Sequence, residues 1–310
     1  MTIDEFIVHE FVPPVEKLMD IYANGWQFPL TTGQTEEARK YMASLSSEQS
    51  LRKICNQAER LIQHQSLAAR LYGHDLRGEI TYCLWISTVS PQEISSKTVN
   101  TFMRKLTVFR LFGLTMGYLS SQEKEKYLTS FPVDQLDYLL ASASQQNRKI
   151  SQSLSDPISN VEFVILYEIV KNAPTQWELS INKQKKEISY TVQDFGQGIR
   201  CKKKGESDEA LPLPAQEYPR LFKDFSTKEE GGLGLQIVKK LTDSLQGYVE
   251  IVSTTELATI HYSTKDEQIS SLPCYQTKSK TKGTLFSCYV PQKPWNNDIH
   301  QNRLLEKQME

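Results

Sequence analysis

The chain has 310 residues, 39% of them hydrophobic and 24% charged, with 36 Lys and Arg against 37 Asp and Glu, for a net charge of -1. That is enough apolar material for one or two packed domains, and it lies outside the composition of a disordered chain. Near-neutrality excludes a protein that coats nucleic acid, which needs a strong basic excess, but leaves room for a local anion site built from a few fixed groups.

No stretch reaches the roughly 18–20 uninterrupted apolar residues of a membrane helix, and the nearest, Val108 to Leu119, carries Arg110, so no membrane insertion is expected. The start, MTIDEFIVHEF, lacks the basic-then-apolar order of a secretory leader. Five scattered cysteines (Cys55, Cys83, Cys201, Cys274 and Cys288) form no Cys-x-x-Cys pair. They read as reduced thiols of a cytoplasmic protein.

Residues 1 to about 45, broken by Pro13-Pro14 and Thr31-Thr32-Gly33, are too short for an independent sensory domain. From Leu51 an apolar stripe recurs at helical spacing through Ile54, Cys55, Ala58, Leu61, Ile62, Ala68, Ala69, Tyr72 and Leu76, predicting one long helix to about Ile86. Pro91 ends it, and a second stripe follows through Val99, Phe102, Leu106, Phe109, Phe112 and Met116. Two such helices predict a hairpin whose apolar faces pair with a second copy, as a homodimeric four-helix bundle.

The second half reads as mixed helices and strands. Helices are expected at Val133 to Ala141, Val161 to Ala173 and Gly231 to Leu245, with strands at Lys149 to Leu154, Ile188 to Asp194, Val249 to Ser253 and Thr284 to Val290. Without a regular strand–helix–strand rhythm the expectation is an α+β sandwich, helices on one face of a sheet. The residues between Ser253 and Gly283 read as a solvated, partly basic loop.

Three patterns carry chemistry. Asp194-Phe195-Gly196-Gln197-Gly198 follows a strand, so Asp194 can accept from an exocyclic amine while the glycines admit a flat ring, although a plain turn gives the same pattern. Gly231-Gly232-Leu233-Gly234 runs into a helix and offers backbone N–H donors to phosphate, with Lys228 just ahead. Glu168 and Asn172 lie four apart on one helix face, where a carboxylate and an amide can hold a hydrated magnesium ion between phosphates.

In order, Asn172, D-x-G-x-G, Phe222-x-x-Phe225, Gly232-x-Gly234 and Gly283-Thr284 resemble the boxes of the Bergerat-type ATP-binding fold, which sensor histidine kinases share with type II topoisomerases, the ninety-kilodalton heat-shock chaperones and mismatch-repair ATPases. Asn172 and Asp194 are 22 residues apart. His74-Asp75-Leu76-Arg77 is similar to the phosphoacceptor box of the kinases, 98 residues before Asn172. The resemblance implies ATP and Mg2+ as cofactors. It assigns Asp194 and Thr284 to adenine, Gly196, Gly198, Lys228, Gly232 and Gly234 to the pocket and phosphates, and Glu168 and Asn172 to the metal. His74 would accept the γ-phosphoryl group with Asp75 as base, and pass it to a response-regulator receiver, a separate sensor protein supplying the stimulus. The implied division is 1–45, a 46–128 hairpin, a 129–294 ATP-binding domain and a 295–310 polar tail.

The sequence departs from that pattern at Glu79, where the family has proline, so no kink is expected there, and at Gly78, which argues against phosphatase activity. Two other readings stay open. One is an ATPase of the same fold with Glu168 as general base, and the other a phosphotransfer scaffold with a vestigial nucleotide domain.

Overall fold

The computed structural model describes residues 1–47, 50–62, 77–89, 93–143, 148–152, 156–173, 176–184, 187–201, 210–223, 234–273 and 282–291. Three short helical turns, Ile3–Phe6, Ile7–Phe11 and Val12–Glu16, open the chain. The longer helices are α1 (Thr32–Ser47), α2 (Ser50–Ile62), α3 (Arg77–Ser87), α4 (Ser96–Ser120), α5 (Asn160–Lys171) and α6 (Gly234–Ser244). The sheet strands are β1 (Arg148–Gln152), β2 (Trp177–Lys183), β3 (Glu187–Asp194), β4 (Tyr248–Thr254), β5 (Ala258–Ser263), β6 (Ile269–Pro273) and β7 (Gly283–Pro291).

The seven strands run in the order β6-β5-β4-β7-β3-β2-β1. Only β1 and β2 pair parallel; the other neighbours are antiparallel. Helices α5 and α6 pack on each other, and both touch the sheet. This is the α/β arrangement expected, with two differences. Strand β2 alternates buried and half-buried positions over its first five residues, and sequence reading passed over it. Within 254–282, expected as a solvated loop, the described residues 254–273 instead add β5 and β6 to the sheet edge, with Ile260 and Tyr262 turned into the core.

The first expected helix is also corrected. Helices α2 and α3 pack against each other. In one straight helix the 15 residues from Ile62 to Arg77 would hold those ends about 22 Å apart. They are two packed helices.

Helix α4 is the centre of the molecule. Ser95 caps it by accepting from the Thr98 N–H, and its side chains are buried on every side from Leu106 to Tyr118, except Arg110. A helix apolar all round needs partners all round. Here the chain supplies them: the N-terminal turns, α1, α3 and α5 all pack against it. Gly113 and Gly117 permit the close approach, because a Cβ there would stand 2.6 Å from Val15 Cγ1 and 2.8 Å from Tyr127 Cδ1. The stripe expected to face a second copy (Val99, Phe102, Leu106, Phe109, Phe112 and Met116) is therefore covered within the chain. Residues 1–45 are part of that cover, through Phe11, Val12, Val15 and Ile21.

Helix α5 joins the helical region to the sheet. Ser159 and Glu162 form a capping box at its start, Ser159 N donating to Glu162 Oε2 at 2.8 Å. Every side chain from Asn160 to Val170 is buried. Phe112 of α4 meets Tyr167 edge-on at 4.9 Å and Phe163 at 6.3 Å. Asn160 Nδ2 donates to Thr115 Oγ1 at 3.0 Å. The helices and the sheet thus share one apolar core.

Candidate nucleotide site

Asp194 is the last residue of β3. In register beside it are Trp177 on β2 and Thr284 on β7, and Thr284 in turn faces Ser253 on β4. Asp194, Thr284 and Ser253 therefore sit side by side on one sheet face, the face that also buries Tyr190 and Val192. The Asp194 carboxylate accepts from the Gly196 N–H at 2.8 Å. Burial raises its pKa above the ordinary range, against the lowering hydrogen bonds from Gly196 and Thr284. A carboxylate held this way, half-buried and still able to accept, suits recognition of an amine.

Glycine is required where the chain turns away from Asp194. Gly198 has φ +76°, and a Cβ on it would stand 2.8 Å from both the Thr254 carbonyl and Thr255 Cγ2. Gly283 has φ +139°, and a Cβ there would collide with the Asp194 carbonyl. Gly196 stands in the same turn, its role being the N–H it gives Asp194.

The opposite wall comes from α5 and α6. Glu168, in the last turn of α5, is 1% exposed, and both its carboxylate oxygens lack a hydrogen-bond partner among the described residues. Burial pushes its pKa up to about 8. Asn172 caps α5, its amide nitrogen donating to the Glu168 carbonyl at 2.7 Å. Gly234, the first residue of α6, lies directly against both. A Cβ on it would come within 2.7 Å of Glu168 Oε2 and 3.2 Å of Asn172 Nδ2. Phe195 N donates to the Gln176 carbonyl at 3.3 Å, so the segment after Asn172 returns beside the Asp194 turn and both walls lie at one end of the sheet.

Seven of the sequence-predicted residues are thus placed: Glu168, Asn172 and Gly234 together, and Asp194, Gly196, Gly198 and Thr284 together. His74, Asp75, Lys228 and Gly232 lie outside the described residues. Phe222 of the expected box packs at 5.8 Å on Tyr262 and 6.4 Å on Phe286, anchoring the turn of helix Ala215–Phe222 to the sheet. Sequence reading missed Ser253, whose oxygen accepts from the Ile199 N–H at 2.8 Å. Its signal was a polar residue at an inward position of a strand that otherwise buries Val249 and Ile251.

Residues 162–294 match the family model of the histidine kinase-, DNA gyrase B- and HSP90-like ATPases. They form an ATP-binding domain of that type. Among solved structures, three nucleotide-free forms of the catalytic domain of the histidine kinase ThkA are similar to the chain. One has 16% identity and a TM-score of 0.36, covering 54% of this chain and 97% of that one. The other two have 14% identity and TM-scores of 0.35, each covering 54% of this chain and 98% or 99% of theirs. No curated protein matches the chain.

The two walls fit the ligands of an ATP-binding domain. Among the described residues no group of three or more His, Cys, Asp or Glu gathers to hold a metal. The unpartnered Glu168 carboxylate beside Asn172 instead suits magnesium, which is commonly bound through one or two protein ligands and takes the rest from phosphate and water. Gly234 leaves room for backbone N–H groups at the start of α6 to approach phosphate. No helix among the described residues is long and apolar enough to cross a membrane.

Proposed function

We propose that the protein is a cytoplasmic, ATP-dependent histidine kinase that phosphorylates His74 and passes the phosphoryl group to a response-regulator aspartate. The observation that carries the nucleotide part is the Glu168–Asn172–Gly234 cluster, an ionisable buried group without a partner among the described residues where a helix begins. Such a group costs stability unless a ligand completes it. In this reading Asp194 and Thr284 hold adenine, while Glu168 and Asn172 hold the magnesium of the substrate. Gly232, Gly234 and Lys228 receive the phosphates. The His74 imidazole nitrogen attacks the γ-phosphorus as the bond to the ADP oxygen breaks, and Asp75 takes the ring proton. The kinase assignment over other members of the family rests on the His74-Asp75 motif and its spacing to Asn172.

The expected homodimer must use a face other than α4. Trp85, 63% exposed on α3 with Tyr82 at 6.4 Å, supports α3 for that role.

Glu168 favours one second reading. A carboxyl with a pKa near 8 is matched to general-base work at neutral pH, so ATP hydrolysis by an activated water is the alternative. Incubation with γ-labelled ATP and magnesium separates the two. Acid-labile label on the protein, lost in His74→Gln, is the kinase outcome. Free labelled phosphate with no bound label overturns it in favour of the ATPase.

A further inference from the structure

The residues between Ser253 and Gly283 have no role in the function proposed so far, yet the hairpin they open with grips the site. Three residues of the turn after Asp194 reach it. Gly198 packs on the Thr254 carbonyl and Thr255 Cγ2, and a Cβ there would also stand 3.0 Å from Ser253 Oγ. Ile199 N donates to Ser253 Oγ at 2.8 Å. Arg200 Nη1 reaches both carboxylate oxygens of Glu256 at 3.0 Å, while its Nε donates to the Ala210 carbonyl at 2.8 Å. The last contact lies beside the pairing of Leu211–Pro212 with Arg200–Cys201. Ser253 itself is 0% exposed, and the buried Tyr218 of the Ala215–Phe222 turn lies beside its hydroxyl.

The Ile199 amide therefore depends on Ser253 for its hydrogen bond, and Ser253 is fixed in turn by the ladder that also fixes Thr284 and Asp194. Without it the Ile199 N–H has no other acceptor among the described residues, and the turn from Gly196 to Arg200 would keep the Gly196–Asp194 bond at one end and, at the other, the Leu213 N–H on the Ile199 carbonyl and the Arg200 pairings. We propose that Ser253, assisted by Glu256, is a positioning residue for nucleotide binding: the β4–β5 hairpin is the anchor that holds the Gly196–Arg200 turn in its ligand-receiving shape. This rests on the assignment of the Asp194 pocket to ATP. Ser253 acts through the turn and need not touch the nucleotide.

The test is ATP binding to the full chain with magnesium, by calorimetry, alongside amide hydrogen exchange of the peptide spanning residues 196–200. Removing the acceptor of the part-buried Ile199 N–H in Ser253→Ala should weaken ATP binding about tenfold and speed exchange in that peptide. The control is Ser287→Ala, which removes a hydroxyl of similar burial that pairs with Thr191 Oγ1 on the other sheet face; it should change neither. Glu256→Gln should give a smaller loss, about two- to threefold, because its ion pair is partly exposed. Wild-type ATP affinity and exchange in Ser253→Ala, or equal losses in Ser253→Ala and Ser287→Ala, would overturn the proposal. Should Ser253→Ala not fold, unchanged exchange across residues 196–200 in Glu256→Gln overturns it instead. Asp194→Asn separates the two levels. If it binds ATP like wild type, the pocket itself is misassigned; if it abolishes binding while Ser253→Ala does not weaken it, only the role of Ser253 falls.

Discussion

The two walls of the site are built on opposite principles. On the sheet wall the polar groups are supported before any ligand arrives: Asp194 by Gly196 and Thr284, Ile199 by Ser253, Arg200 by Glu256. On the helix wall the Glu168 carboxylate has no partner among the described residues, while the Asn172 amide is tied back to its own helix. In the reading proposed above, recognition of a flat base needs fixed donors and acceptors, whereas the wall proposed to take a hydrated cation leaves its carboxyl free for that cation. One wall adds to the stability of the folded chain and the other subtracts from it.

That contrast can be broken by mutation. The largest effect belongs to the supported wall, where Asp194→Asn should lower ATP affinity by about 100-fold, since a mismatched amide is left facing the base; isothermal titration reads it directly. On the helix wall Glu168→Gln should do the reverse of a usual core mutation and raise the melting temperature. The sign follows from linkage. The folded-state pKa of about 8 stands above the ordinary 4.5, so the folded state binds more protons between those values and stability falls as pH rises through that window. The gain in Glu168→Gln should be absent near pH 4.5, grow by about 1.4 kcal/mol per pH unit at most, and level off above pH 8. A melting difference that is flat across pH 5 to 8 would refute the assignment.

Smaller effects sharpen the comparison. Gly234→Ala puts a methyl against Glu168 and Asn172 while improving helix propensity, so binding and stability should part company. ATP affinity in magnesium should drop about tenfold with the melting temperature unchanged or higher. Thr284→Val removes one of the hydrogen bonds on Asp194 and should cost about threefold in affinity, with little dependence on magnesium.

The sheet wall was the more legible in sequence because its demands are local. An aspartate at a strand end, two glycines and a Gly-Thr pair each follow from backbone constraints within a few residues, and their order supplied the rest. Glu168 and Asn172 were legible as one helix face, but burial of Glu168 was not, since it depends on α4 and α6 arriving from elsewhere in the chain. The same reason explains the larger misreadings. The stripe of α4 has the period of a bundle seam whether its partner is a second copy or residues 1–16, and periodicity carries no information about which. The side-by-side packing of α2 and α3 is announced by no proline or glycine pattern strong enough to outweigh the continuous apolar spacing. Strands β5 and β6 carry polar residues at many positions because they lie at the sheet edge, and polarity was read as loop.

The edge-on packing of Phe112 against Phe163 and Tyr167 bears on how this protein can be dissected. Enzymes of this architecture invite truncation to a free-standing nucleotide domain. Here a fragment beginning at residue 129 would strip α4 away and turn the aromatic flank of α5 into surface, with two large rings that are now at most 5% exposed opened to water at about 1.5–3 kcal/mol each. The helical half is thus part of the solubility of the ATP-binding half. Cutting between them would trade a folded protein for a sticky one.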